Sequence, residues 1–207
     1  MSPLSRSAGD HDRPERSQRP LEPLLADLAG GEPEARRAAV QALADRPDAL
    51  PALVHRVGIE TDPGVRNALC TQLARHDRPE VVDGLLPHLA SDDAALRNAV
   101  TQVLSMLPVS CALRVPQLLA DPDPDVRILT VMTLGGLRLD QVEDWLTQLV
   151  RDDTDPRVVG AAMAELAELA GARGAPVLEA AGHRFPADPF IQFIATQSRA
   201  RMDSART

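Results

Sequence analysis

Asp62-Pro63-Gly64-Val65-Arg66-Asn67-Ala68-Leu69-Cys70-Thr71-Gln72-Leu73 is the stretch that decides the fold, because the chain repeats it. Four other segments align with it without gaps, beginning at Glu32, Asp93, Asp123 and Asp155, at steps of about 30 residues. An acidic residue opens each copy. An apolar column follows (Ala35, Val65, Leu96, Val126, Val158), then an arginine column (Arg36, Arg66, Arg97, Arg127) that lapses to Val159 in the fifth copy. Leucine closes every copy, at Leu43, Leu73, Leu104, Leu134 and Leu166. An acidic residue followed by proline fits a helix start, where the carboxylate caps free N–H groups and proline suits the first turn.

Between the copies runs a second pattern with apolar residues at i, i+3, i+4 and i+7, one face of an α-helix. Its members are Leu50, Leu53, Val54 and Val57; Val82, Leu85, Leu86 and Leu89; Ala112, Val115, Pro116 and Leu119; and Val142, Trp145, Leu146 and Leu149. One copy, Leu21, Leu24, Leu25 and Leu28, precedes the first acidic segment, and a weaker one, Gly174, Val177, Leu178 and Ala181, closes the series. The unit is therefore helix A, a turn, helix B, and a turn. A helix pair cannot bury its apolar faces alone, so the pairs must stack.

The Asp-Pro-x-Val-Arg run and the leucine that follows it, clearest from Asp62 and from Asp123, resemble the HEAT-like repeats of bacteria, including those of phycobilisome-lyase-like proteins. The likeness covers roughly residues 20–183. It implies an all-α fold, a right-handed α-α superhelix of about five and a half helix pairs. It also implies that the Asp and Arg columns stitch neighbouring repeats together, a role carried here to Asp62, Asp93, Asp123, Arg66, Arg97 and Arg127. Ala94 stands where proline is usual, and Val159 puts the stitching of the fifth copy in doubt.

The expected organisation is a disordered tail over residues 1–19, a solenoid over 20–198 with a capping helix at about 187–198, and a second tail over 199–207. The first tail is polar and reads as passive or as a short docking segment. The cap gathers Phe185, Phe190 and Phe193, which either pack on the last pair or form an exposed anchor for a partner or a second copy.

Composition narrows the function. All 22 basic residues are arginine, so lysine chemistry is excluded, and there is no tyrosine. The arginine bias beside abundant Ala, Leu and Pro also fits a GC-rich coding sequence. Both tails are net basic, which leaves the body more acidic than the −8 of the whole chain. A strongly acidic body makes nucleic acid an unsuitable partner, since phosphate binding needs a basic face. No apolar run approaches membrane-spanning length and no signal-peptide core follows the N-terminus. A soluble, cytoplasmic protein is expected.

No residue set argues for catalysis, a metal or a cofactor. The histidines His11, His55, His76, His88 and His183 include no i, i+4 pair and no His-Glu pair. The acidic groups around Asp92, Asp121 and Asp152 sit before A helices, where capping explains them. Trp145 shares a column with Leu53, Leu85 and Val115 and is expected in the core, although Asp144-Trp145 also occurs in helical-repeat DNA enzymes. Cys70 and Cys111 lack metal or disulfide spacing, and a buried inert thiol is expected for Cys70.

In HEAT-like arrays the B helices line the concave side. The resemblance therefore points to His55, Arg56, Asp83, His88, Arg114, Gln117, Glu143, Asp144 and Gln148 as partner-facing residues. The expected function is a non-enzymatic scaffold or adaptor holding a protein or peptide along that surface. Its rivals are a subunit of a bilin-lyase-like enzyme and a helical-repeat DNA-binding enzyme.

Overall fold

The computed structural model describes residues 20–204, so the expectation for residues 1–19 lies outside the described residues. Thirteen α-helices are present among them and no strand. They are α1 (Leu21–Gly30), α2 (Pro33–Ala42), α3 (Leu50–Ile59), α4 (Pro63–Leu73), α5 (Pro79–Leu85), α6 (Ala94–Leu104), α7 (Pro108–Ala112), α8 (Val115–Leu119), α9 (Pro124–Gly136), α10 (Gln141–Asp152), α11 (Pro156–Ala170), α12 (Ala175–Arg184) and α13 (Pro189–Ser204). Short 3₁₀ turns join or extend them at Pro47–Ala49, Leu86–Ala90 and Gly171–Gly174. The fold is an all-α helical repeat. Helices α2, α4, α6, α9, α11 and α13 are the A helices, and α1, α3, α5, α7 with α8, α10 and α12 supply the B positions.

The chain divides after His76 into two compact units. In the first, α2 packs on α1 and α4, and α3 packs on α4. In the second, A helices stack on A helices (α6 on α9, α9 on α11, α11 on α13), while α10 packs on α12. All five leucines of the closing column are fully buried, as are Val65 and Val158. These leucines form the buried seam of the helical repeat, and burial of one such side chain contributes about 1.5–3 kcal/mol.

Two parts of the expected register shift. The fourth B position is broken at Leu113 and Arg114 into two five-residue helices. Its buried residues are Ser110, Cys111, Val115 and Leu118, and Pro116 is exposed instead of being core. Asp77 fixes the start of α7 by accepting from the N–H groups of Val109 (2.9 Å) and Ser110 (2.8 Å). At the other end, α13 runs to Ser204, past the tail boundary expected at 199.

The turns before the A helices carry the polar network. Asp62 accepts from the Val65 N–H, Asp93 from Ala95 and Leu96, and Asp123 from Asp125. These carboxylates cap their own helix, and the Asp62 charge also acts on Arg36 one repeat earlier. The arginines fold back to the carbonyl six residues earlier: Arg66 to Glu60 (2.6 Å), Arg97 to Ser91 (2.5 Å) and Arg127 to Asp121 (2.8 Å). Arg36 reaches instead the carbonyl five residues earlier, that of Gly31 (2.7 Å). A Cβ at Gly31 would lie 2.7 Å from the Asp27 carbonyl oxygen, so this tight entry requires glycine.

The residue two before each cap is a node that the sequence reading missed. Its side chain accepts from the cap residue's N–H, as Glu60 does from Asp62, Ser91 from Asp93, Asp121 from Asp123 and Asp153 from Asp155. Its carbonyl takes the arginine. In two places the preceding repeat's arginine also reaches the side chain: Arg36 grips Glu60 in a two-pronged pair (2.7 and 2.8 Å), and Arg127 grips Asp153 (2.8 and 3.1 Å). The fifth copy, where Val159 replaces arginine and is buried, is served from elsewhere. Arg184, at the end of α12, donates to the carbonyls of Val150 (2.7 Å) and Asp153 (2.6 Å).

Glu60 is the deepest node, only 1% exposed, with a third donor in Arg56 (2.9 Å). Burial pushes its carboxyl pKa up. The Arg36, Arg56 and Asp62 hydrogen bonds overcome that and hold it at about 2. Because this folded value lies below the ordinary 4.5, the stabilisation is complete above that pH and is lost as pH falls toward 2.

Two outcomes follow for stability. Leu104→Ala lowers the unfolding free energy by roughly 2–5 kcal/mol in urea titration; a change under about 1 kcal/mol would contradict the seam assignment. Glu60→Gln costs roughly 3–5 kcal/mol near neutral pH, because two guanidinium groups lose their counter-charge. That difference shrinks in urea titrations at about pH 3, and a pH-independent difference would contradict the depressed pKa.

Candidate docking groove on the B helices

Two grooves open between successive B positions, one in each unit. In the first unit Leu25, Leu28 and Ala29 of α1 face Ala52, His55, Arg56 and Ile59 of α3 across a cavity of about 170 Å³. In the second, Pro116, Leu119 and Ala120 at α8 face Trp145, Gln148, Leu149, Asp152 and Asp153 at α10, enclosing about 530 Å³. The two linings come from the same register positions. Counted back from the next cap, Leu25, Leu28 and Ala29 correspond to Pro116, Leu119 and Ala120, and Ala52, His55, Arg56 and Ile59 correspond to Trp145, Gln148, Leu149 and Asp152. The repeat thus builds one kind of groove with different side chains.

Trp145 is half-buried in the wall of the larger groove, which corrects its expected place in the core. The core arc of α10 is Val142, Leu146, Leu149 and Val150. At 100° per residue, Trp145 falls at the edge of that arc. Asp153 is held by Arg127, whereas Asp152 is exposed and has no polar side-chain partner among the described residues. The groove therefore pairs an apolar wall with one free carboxylate.

The other expected partner-facing residues divide. His55 and Gln148 line the grooves, and Asp144 and Gln117 are exposed outside the larger one. Arg56 lines the smaller groove but is held by Glu60 and the Ala29 carbonyl. His88 is half-buried in the 3₁₀ turn after α5. Asp83 and Arg114 are paired with each other (2.6 and 2.7 Å). The Arg114 guanidinium holds the Asp83 carboxyl below its ordinary range, and Asp83 in turn raises Arg114. Glu143 accepts from Arg173 at 3.1 Å. These three residues join neighbouring repeats through exposed or half-buried ion pairs.

Both thiols are buried. Burial raises Cys70, and burial followed by the Asp77 charge lifts Cys111 to about 11, so neither supplies a thiolate near neutral pH. His76 Nε2 donates to the Ala44 carbonyl at 2.8 Å. At the C-terminal end, Phe190 and Phe193 are 53% and 58% exposed, although the Phe190 ring rests against Gly160. Phe185 is half-buried beneath the Arg184 guanidinium, 5.0 Å from its ring centre. Sequence reasoning did not place Leu119, Ala120 and Asp152 at a groove; their signal was the match to Leu28, Ala29 and Ile59 at the same register, three repeats earlier.

No helix among the described residues is long and apolar enough to cross a membrane. No curated protein matches the chain. The family model for HEAT repeats matches residues 21–105 and 112–197, well over half of the sequence. The matched stretches span the paired helices, the buried leucine column and both grooves, and the chain belongs to the HEAT-repeat family.

Proposed function

We propose that this protein is a non-enzymatic interaction module that docks a segment of a partner protein on its B-helix surface. Family membership supports the general reading, because HEAT repeats commonly serve as interaction scaffolds. The observation that carries the particular one is the open groove between α8 and α10, where the chain's single tryptophan forms a wall instead of filling the core. A half-buried indole beside a rigid slot is the kind of anchor on which interface energy concentrates.

The groove gives no support to the rival readings. Its free charge is a carboxylate, the wrong sign for a phosphate backbone or for the propionate groups of a bilin. We place the protein in the cytoplasm on the expectation of a soluble chain with reduced cysteines.

The test is a pull-down with tagged protein from an extract of the source organism, run beside Gln148→Arg. Gln148 is exposed and lines the groove, so the substitution obstructs the slot without touching the core. The expected outcome is a stoichiometric protein partner retained by the native chain and reduced at least about tenfold by the variant, the loss of about 1.4 kcal/mol. Equal retention would move docking away from this groove. Recovery of nucleic acid or pigment alone would overturn the module reading.

A further inference from the structure

The two grooves occupy the same repeat register, so their differences show what the larger one is adapted to hold. Where the first unit has Ala52 and Ile59, the second has Trp145 and Asp152. One exchange adds a broad π-face to the wall. The other replaces an exposed isoleucine, 54% accessible, with a free carboxylate. The first groove is an aliphatic slot whose Arg56 is already paired with Glu60; the second has no cation in its lining.

From this pair of exchanges we infer that the groove between α8 and α10 receives an arginine side chain of the docked segment, flanked by an apolar residue. The inference rests on the docking function proposed above and names the chemistry of the partner. A guanidinium is planar and weakly hydrated, and it stacks on indole faces while its edge donates to a carboxylate. Trp145 and Asp152 provide the two halves of that arrangement. Pro116, Leu119 and Leu149 provide the apolar wall for the side-chain stem and for the neighbouring residue. About 530 Å³ exceeds what one arginine fills, which leaves room for that second side chain.

The sign of the surroundings agrees. Asp153 is neutralised by Arg127, so Asp152 sets the net charge of the lining. Arg151 adjoins Asp152 in sequence but is not among the lining residues. The exposed Asp144 adds a second carboxylate on the same helix. An acidic body also draws a basic segment toward the groove over longer range.

Trp145 is the chain's single tryptophan, so its fluorescence reads this groove alone. The probes are three blocked pentapeptides with a central arginine, glutamine or glutamate between two leucines, titrated into the full chain. The arginine peptide is expected to perturb Trp145 emission with a Kd on the order of 1 mM or tighter. It should bind several-fold more tightly than the glutamate peptide, and Asp152→Asn and added salt should narrow that preference. Asp152 is exposed, so the variant keeps its fold, which circular dichroism checks. Equal binding of all three peptides would overturn the arginine assignment and leave the docking reading standing. No response to any of them would overturn the assignment and count against docking in this groove as well.

Discussion

Each B helix ends on carbonyl groups that the helix itself cannot satisfy, and the chain must turn there to begin the next A helix. The stack depends on how that turn is held. A guanidinium from the following A helix reaches back to the turn carbonyl, the residue that owns this carbonyl caps the turn with its side chain, and the aspartate two positions on caps the new helix. A carbonyl buried without a donor costs about 1–3 kcal/mol, a large fraction of a small protein's stability, and these turn carbonyls are half-buried. The requirement is for a donor at that point and not for a particular residue. When the column lapses at Val159, Arg184 supplies the donor from another helix. Glu60 carries the arrangement furthest, with two arginines and a backbone N–H converging on one buried carboxylate.

Most of the fold was legible because burial is periodic. The leucine column stood out as identical residues at a fixed step, and all five of its members are buried. The node residue did not stand out, because Glu60, Ser91, Asp121 and Asp153 share a position without sharing a residue type. What that position must provide is partly a main-chain carbonyl, which every residue has. Trp145 and Pro116 were misplaced because a gapless register assumes that every B helix keeps one phase. The fourth B position breaks, and the buried arc of α10 leaves Trp145 at its edge.

The candidate site was half legible. Gln148 and His55 were recognised as surface-facing, whereas Asp83, Arg114 and Glu143 were taken as free when they pair across repeats. Their partners lie 30 or 31 residues away, one repeat length, just as Arg157 and Asp125 pair at 32. In a stacked array, opposite charges one repeat apart are neighbours, as those at i and i+4 are within a helix. That rule reads these pairs directly from the sequence. Asp152, which the partner-facing set did not include, has no such counterpart among the described residues.

The repeat is therefore a frame that sets the spacing of grooves, and side chains at a few register positions set what each groove holds. The central claim is that Trp145 stands open in such a groove, and acrylamide quenching of native-state tryptophan fluorescence tests it most directly, since no other indole contributes. The account predicts emission shifted toward that of a solvated indole, with quenching at a substantial fraction of the rate in urea. Blue-shifted emission protected from acrylamide would return Trp145 to the core and contradict the groove.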